Sequence, residues 1–154
     1  MAGVEYTVTV DDADLRRKAA RLLRHLGDLS EPMLEVREVM LNAVHDRFES
    51  ETDPDGNRWR RLSPATLVAR RRRGKGGVTI LRASGRLIGS IAPRSDATSA
   101  TVGTNVVYGA IHQFGGQAGR GLAVTIPARP YLGFGVAERT AIGEIFENWL
   151  SINS

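Results

Sequence analysis

His112 is the residue whose chemistry invites a catalytic reading, because an imidazole titrates near neutrality and serves as a base or a metal ligand. It has no colleagues. His25 and His45 fall in helical patterns without ligand spacing, cysteine is absent, and no carboxylate occurs between Asp96 and Glu138 to orient an imidazole. Glu35, Glu38, Asp46 and Glu49 follow the exposed side of a helical pattern rather than an apolar pocket, which argues against an acid/base pair. No catalytic, cofactor or metal residue is assigned. His112 and Gln113 read as structural hydrogen-bonding residues. Arg129 reads differently. Set between Ala128 and Pro130 on a restricted backbone, its guanidinium suits an intersubunit carboxylate or backbone carbonyls, with an internal salt bridge that holds the domain together as the rival reading. Tyr131, His112, Gln113 and Phe114 join it as interface candidates.

The second chemically loaded stretch is RRRRGKGG, with Arg70, Arg71, Arg72, Arg73 and Lys75. Two readings stand side by side. Clustered arginines offer bidentate donors to phosphate or to an acidic protein ring, and they equally make a solvated loop. No aromatic residue is interleaved to stack bases, and GKGG lacks the strand and helix context of a phosphate-binding loop, so nucleotide hydrolysis is not supported.

The elements that must position these residues follow from periodicity. Val4, Tyr6, Val8 and Val10 alternate with polar residues as a strand. Leu15, Ala19, Leu22, Leu23 and Leu26 recur at helical spacing, with Arg16, Arg17, Lys18, Arg21 and Arg24 on a solvated opposite face. Ser30, Glu31 and Pro32 open a longer helix whose stripe is Met33, Val36, Met40, Val44 and Phe48. DPDG at 53–56 is a tight turn, and Trp59 and Leu62 pin the polar loop beyond it to the core. Ser63 and Pro64 start a short helix through Ala69, after which the basic run is expected as a mobile loop. Ser84 caps a further short helix that enters a strand near Ile91, and residues 92–95 and 100–103 form a hairpin about 96–99. Tyr108 to Phe114 make one or two helical turns that Gly115 and Gly116 stop, and Leu122, Val124 and Ile126 alternate as a half-buried strand ended by Pro127. Ile142, Ile145, Phe146 and Trp149 are a helical stripe expected to pack on the sheet.

Several ordered motifs carry a resemblance. GT-x3-YGAIHQFGG at 103–116 and IPARPYLG at 126–133, preceded by Phe48, DPDG, Trp59, LSPAT at 62–66 and ILRASGRLIGSI at 80–91, resemble the Mu-like phage virion morphogenesis family, also called the phage tail completion family. The match covers most of the chain. The resemblance implies a virion structural protein and not an enzyme: a ring, hexameric by analogy with tail tubes, that closes the head-proximal end of the tail. Implied partners are further copies of itself, the tail tube protein and neck or connector proteins; the charge of the basic loop separately suits contact with DNA. The resemblance also implies assembly in the host cytoplasm and residence in the virion, no cofactor and no membrane. Alternatives are a head-completion or neck protein and, from another class, a DNA-binding module.

Composition sets the outer bounds. The 154 residues suit one domain over 1–154 with a substantial core, no apolar run approaches a bilayer span, and Glu5 and Asp11 stand where a signal peptide needs a basic then apolar start. The absence of cysteine removes disulfides and thiolate metal sites and fits a reducing compartment. Charge is unevenly spread: residues 1–56 hold thirteen acidic and seven basic side chains, residues 57–95 none acidic and eleven basic, residues 96–154 four acidic and three basic. Such a split calls for an acidic or polyanionic partner. The expected fold is α+β: a mainly antiparallel sheet with N-terminal helices and a C-terminal helix packed on it, and a long basic loop in the middle.

Overall fold

The alternating amino-terminal residues form strand β1 (Val4–Val8). The computed structural model describes residues 3–8, 13, 17, 20, 28–74 and 77–153. Val10, the leucines expected on the first helix and Lys75 lie outside them. β1 pairs antiparallel with β3 (Ala100–Thr104), whose other edge takes β2 (Ala92–Ser95), giving a three-stranded sheet of order β1-β3-β2. All five residues of β3 are buried, as a central strand covered by a helix requires. The turn between β2 and β3 is set by Asp96, whose Oδ1 accepts from the N–H groups of Thr98 and Ser99, each at 2.8 Å. These bonds hold its carboxyl below the usual aspartate range.

Helix α1 (Ser30–Ser50) lies on β2 and β3. Its expected stripe is the core: Met33, Val36, Met40, Val44 and Phe48 are all buried. Each contributes about 1.5–3 kcal/mol by leaving water. The helix stops at Glu51, left-handed at φ 56°, whose Oε1 accepts from the N–H of Ile80 at 2.7 Å. The carboxy-terminal stripe forms α5 (Val136–Asn153), which packs chiefly on α1 and so carries its apolar face to that helix more than to the sheet.

Between α1 and the sheet's hairpin lie α2 (Pro64–Arg72), capped by Ser63 Oγ, and the short α3 (Arg86–Gly89). Here the basic loop needs correction. Arg70, Arg71 and Arg72 are the last turn of α2 and Arg73 is its C-cap, because cations offset the negative end of a helix dipole. After β3 come α4 (Gly109–Phe114) and a separate two-stranded ribbon of β4 (Gly116–Ala118) and β5 (Val124–Ile126), joined by a 3₁₀ turn at Arg120–Leu122. Leu122 therefore precedes the strand, and of the face expected to be half-buried only Ile126 is: Leu122 is 65% exposed and Val124 52%.

Candidate assembly surface

The IPARPYLG motif is a clasp whose backbone and side chains engage four other parts of the fold. Gln113 at the end of α4 accepts with Oε1 from the N–H groups of Tyr131 (3.1 Å) and Leu132 (3.0 Å), while its Nε2 donates to Leu132 O at 2.9 Å. Arg129 N donates to His112 O at 2.7 Å, and Trp59 Nε1 donates to Pro130 O at 2.9 Å. Tyr131 is fully buried. Its ring lies 5.3 Å from that of Phe48 and its hydroxyl donates to Gly109 O at 2.9 Å, with burial raising the phenol's pKa far above the tyrosine range. Gly109 is demanded by the same contact: a Cβ there would meet Thr104 Cγ2 at 2.8 Å and the Tyr131 hydroxyl at 2.9 Å. Gly115 is demanded by its φ of 73° and by Ala128 N, 2.8 Å from where a Cβ would stand.

Two interface expectations are corrected by this geometry. Arg129 is only 6% exposed, and its fork faces inward: Nε donates to Arg60 O at 2.8 Å and Nη2 to Arg61 O at 3.3 Å. Burial, then Arg60 and Arg70, push its pKa down while Glu51 opposes them, yet a guanidinium stays protonated at working pH. Tyr131 is likewise unavailable to a neighbour. Proline-restricted backbone aimed these side chains, and the core was what they were aimed at. Gln113 is half-buried and hydrogen-bonded to the 131–132 backbone as expected, whereas half-buried His112 holds the motif through its carbonyl and not through its ring, whose Nδ1 has no partner; Phe114 is 71% exposed.

Arg47 is the residue that sequence reasoning missed. It lies 4% exposed on the core stripe, three residues after Val44, and donates through Nη1 to Gly133 O (2.7 Å) and Tyr131 O (3.3 Å) and through Nη2 to Glu138 Oε1 (2.6 Å). A charged residue at a stripe position was the available signal. Glu138 Oε2 in turn accepts from Gly135 N at 2.7 Å, capping the first turn of α5.

His112 lines a groove of about 750 Å³ between the 60–66 segment, α3 and β5. Its Nδ1 is buried without a hydrogen-bond partner, and burial, reinforced by the Arg129 charge, lowers its pKa below the ordinary 6.5, so the ring is neutral at pH 7. Tyr108 meets it edge-on at 5.9 Å. Arg60, Arg61, Arg70 and Arg129 line the groove beside Leu62 and Leu81, with no carboxylate among the lining residues. Arg70 is already engaged, donating through Nη1 to Thr79 O at 2.7 Å and Gly77 O at 3.2 Å.

The remaining feature is apolar surface. Phe114, Leu122 and Val124 are exposed on or beside the β4–β5 ribbon, and Leu122 holds the left-handed φ of 56°. A strained, exposed leucine costs free energy twice, in backbone conformation and in hydration. Among the described residues no group of three or more histidines and carboxylates converges as a metal site requires, and no helix is long and apolar enough to cross a membrane.

The shared motif is thus spent on the protein's own core, beside an exposed apolar ribbon and an arginine-lined groove. The comparisons give the family. Residues 10–151 match the phage virion morphogenesis family, and the chain belongs to it. It is 34% identical over 111 residues, 71% of this chain and 69% of the relative, to a protein of Escherichia phage Mu named putative capsid assembly protein G. It is also 59% identical over 46 residues, 30% of this chain and 33% of the relative, to Mu-like prophage FluMu G protein 2 of Haemophilus influenzae. That second alignment spans about a third of either protein. No solved structure matches. The protein's role is in building the phage particle.

Proposed function

We infer that the protein is a tail completion protein: a ring, hexameric where it meets a sixfold tail tube, at the head-proximal end of the tail, with the tail tube protein on one side and the neck or connector on the other. The observation that carries this reading is the β4–β5 ribbon, which exposes Phe114, Leu122 and Val124 at a cost that only a partner offsets. A ring with closed cyclic symmetry uses two dissimilar faces on each copy, and the split between an acidic first third and a basic middle supplies them. The protein then acts through binding, not catalysis, and resides in the virion at the tail–neck joint.

A head-side reading has one specific support, the capsid assembly name of the phage Mu relative. Electron microscopy of particles made without the protein separates the two. A tail completion protein leaves full heads together with unattached tails of irregular length. Tails of uniform length beside heads that have lost their DNA reject the tail assignment and favour the head-side one.

A further inference from the structure

Resting on the ring reading above, we propose that the arginine groove is the socket of the subunit interface, and that its occupant is the outward face of the first half of α1 in a second copy of this chain. The groove has two kinds of wall. Leu62, Leu81 and Tyr108 make it apolar enough for a side chain of a folded protein, whereas a sugar-phosphate backbone gains nothing from such walls. Arg60 and Arg61 make it cationic. Both are exposed, and among the described residues their guanidinium groups make no hydrogen bond or ion pair, since only their carbonyls are used, by Arg129. No carboxylate lines the groove, and the buried Nδ1 of His112 on its wall has no partner. An incoming surface must therefore bring acids and at least one apolar group.

The chain carries such a surface on α1. Glu31, Leu34, Glu35 and Glu38 recur at three- and four-residue spacing and so share one face. All four are exposed, Leu34 by 47%. Glu38 is paired with Arg37 at 2.7 Å, so the net negative charge of the face comes from Glu31 and Glu35. Leucine between glutamates matches leucines between arginines. Distance forbids the match within one copy: α1 has 21 residues, about 30 Å at 1.5 Å per residue, and its far end at Glu51 is the end near Arg129 and the groove. The socket and its complement sit at opposite ends of the longest helix. Contacts of this kind run head to tail, and they close into a ring when the rotation per copy allows. Electrostatic complementarity fixes which face meets which.

Charge exchange in the full chain tests this. One variant carries Arg60→Glu with Arg61→Glu, the other Glu31→Lys with Glu35→Lys, and each is supplied to a phage lacking its own copy of the gene. Either variant alone is expected to lower the yield of infectious particles by about a hundredfold, and supplying both together is expected to restore it to within about tenfold, because the acidic groove of one receives the basic helix face of the other. Normal yields with either variant alone overturn the proposal, as does absence of recovery when both are supplied and both melt like the unaltered protein. Arg60→Ala with Arg61→Ala serves if the reversed groove does not fold: it must lower the yield too, and an unchanged yield counts against the socket. Loss of binding to short duplex DNA on groove reversal, without recovery on co-supply, assigns the groove to phosphate and also overturns the proposal. Recovery is scored at whichever joint of the particle is defective. A head-side phenotype in particles made without the protein would therefore reject tail completion while leaving the socket result to be read separately.

Discussion

Arg129 brings a full charge into a site 6% exposed, where two carbonyls of the preceding loop receive it. The sequence made the preorganisation of this side chain legible, because Pro130 restricts its backbone, but not its direction, since an inward and an outward fork have the same neighbours in the chain. Its inward direction makes the side chain part of the fold's stability. Arg129→Ala should lower unfolding stability by about 2–3 kcal/mol, since the two carbonyls lose a charged donor, and Arg129→Lys should recover only part because an ammonium lacks the planar fork. Urea titration checks it, and an unchanged midpoint for the alanine variant would restore the outward-facing cation. His112 gives a pH prediction. Its folded pKa lies below the ordinary 6.5, so the unfolded chain binds the proton more readily. The stability it contributes is fully present above pH 6.5 and is lost as pH falls from there through the lower folded value. Melting temperature should therefore decline on acidification, and His112→Gln should flatten that decline relative to the unaltered protein. Parallel slopes for the two proteins would show that other groups cause it.

At the scale of elements, the long helix and the β2–β3 hairpin were readable because each is specified locally: α1 by a stripe of period 3.6, the hairpin by Asp96 closing its own turn on Thr98 and Ser99. The extension of α2 through Arg72 was not, because four consecutive arginines look like a solvated loop until their carbonyls and the helix dipole are considered together. The joint between α1, the 131–135 segment and α5 is held by Arg47 and Glu138, whose side chains are 5% and 15% exposed. Removing one partner leaves the other charge buried. Glu138→Ala should cost about 3 kcal/mol, more than Glu138→Gln, which keeps an acceptor for Gly135 N. Calorimetric unfolding of both variants is the measurement, and equal stability of the two would mean that the backbone carbonyls of Tyr131 and Gly133 satisfy Arg47 unaided.

For the whole molecule, the described surface divides between what the fold has used and what it has left over. Phe114 and Leu122 are left over, at 71% and 65% exposure. Their replacement by serine should leave the melting temperature within the range of ordinary surface changes, about 0.5 kcal/mol, while abolishing incorporation into particles. Immunoblotting of purified virions reads the second effect. Normal incorporation would show that the ribbon contacts nothing in the particle. The acidic and basic zones were visible in the sequence as thirds of the chain, and the structure turns part of that division into distance by setting Glu31 and Glu35 one helix length from Arg60 and Arg61.

The sequence by itself determined the family, the α+β class, the core stripe of α1, the β2–β3 hairpin and the charge zones, because each of these is written in local spacing or in ordered motifs. Tertiary structure alone decided which polar residues of the shared motif face inward. Arg129, Tyr131 and Gln113 find partners 18 to 69 residues away, and Arg47 finds Glu138 91 residues away. A hydrogen bond over such separations depends on where packed elements place two backbones, and no periodicity encodes that placement.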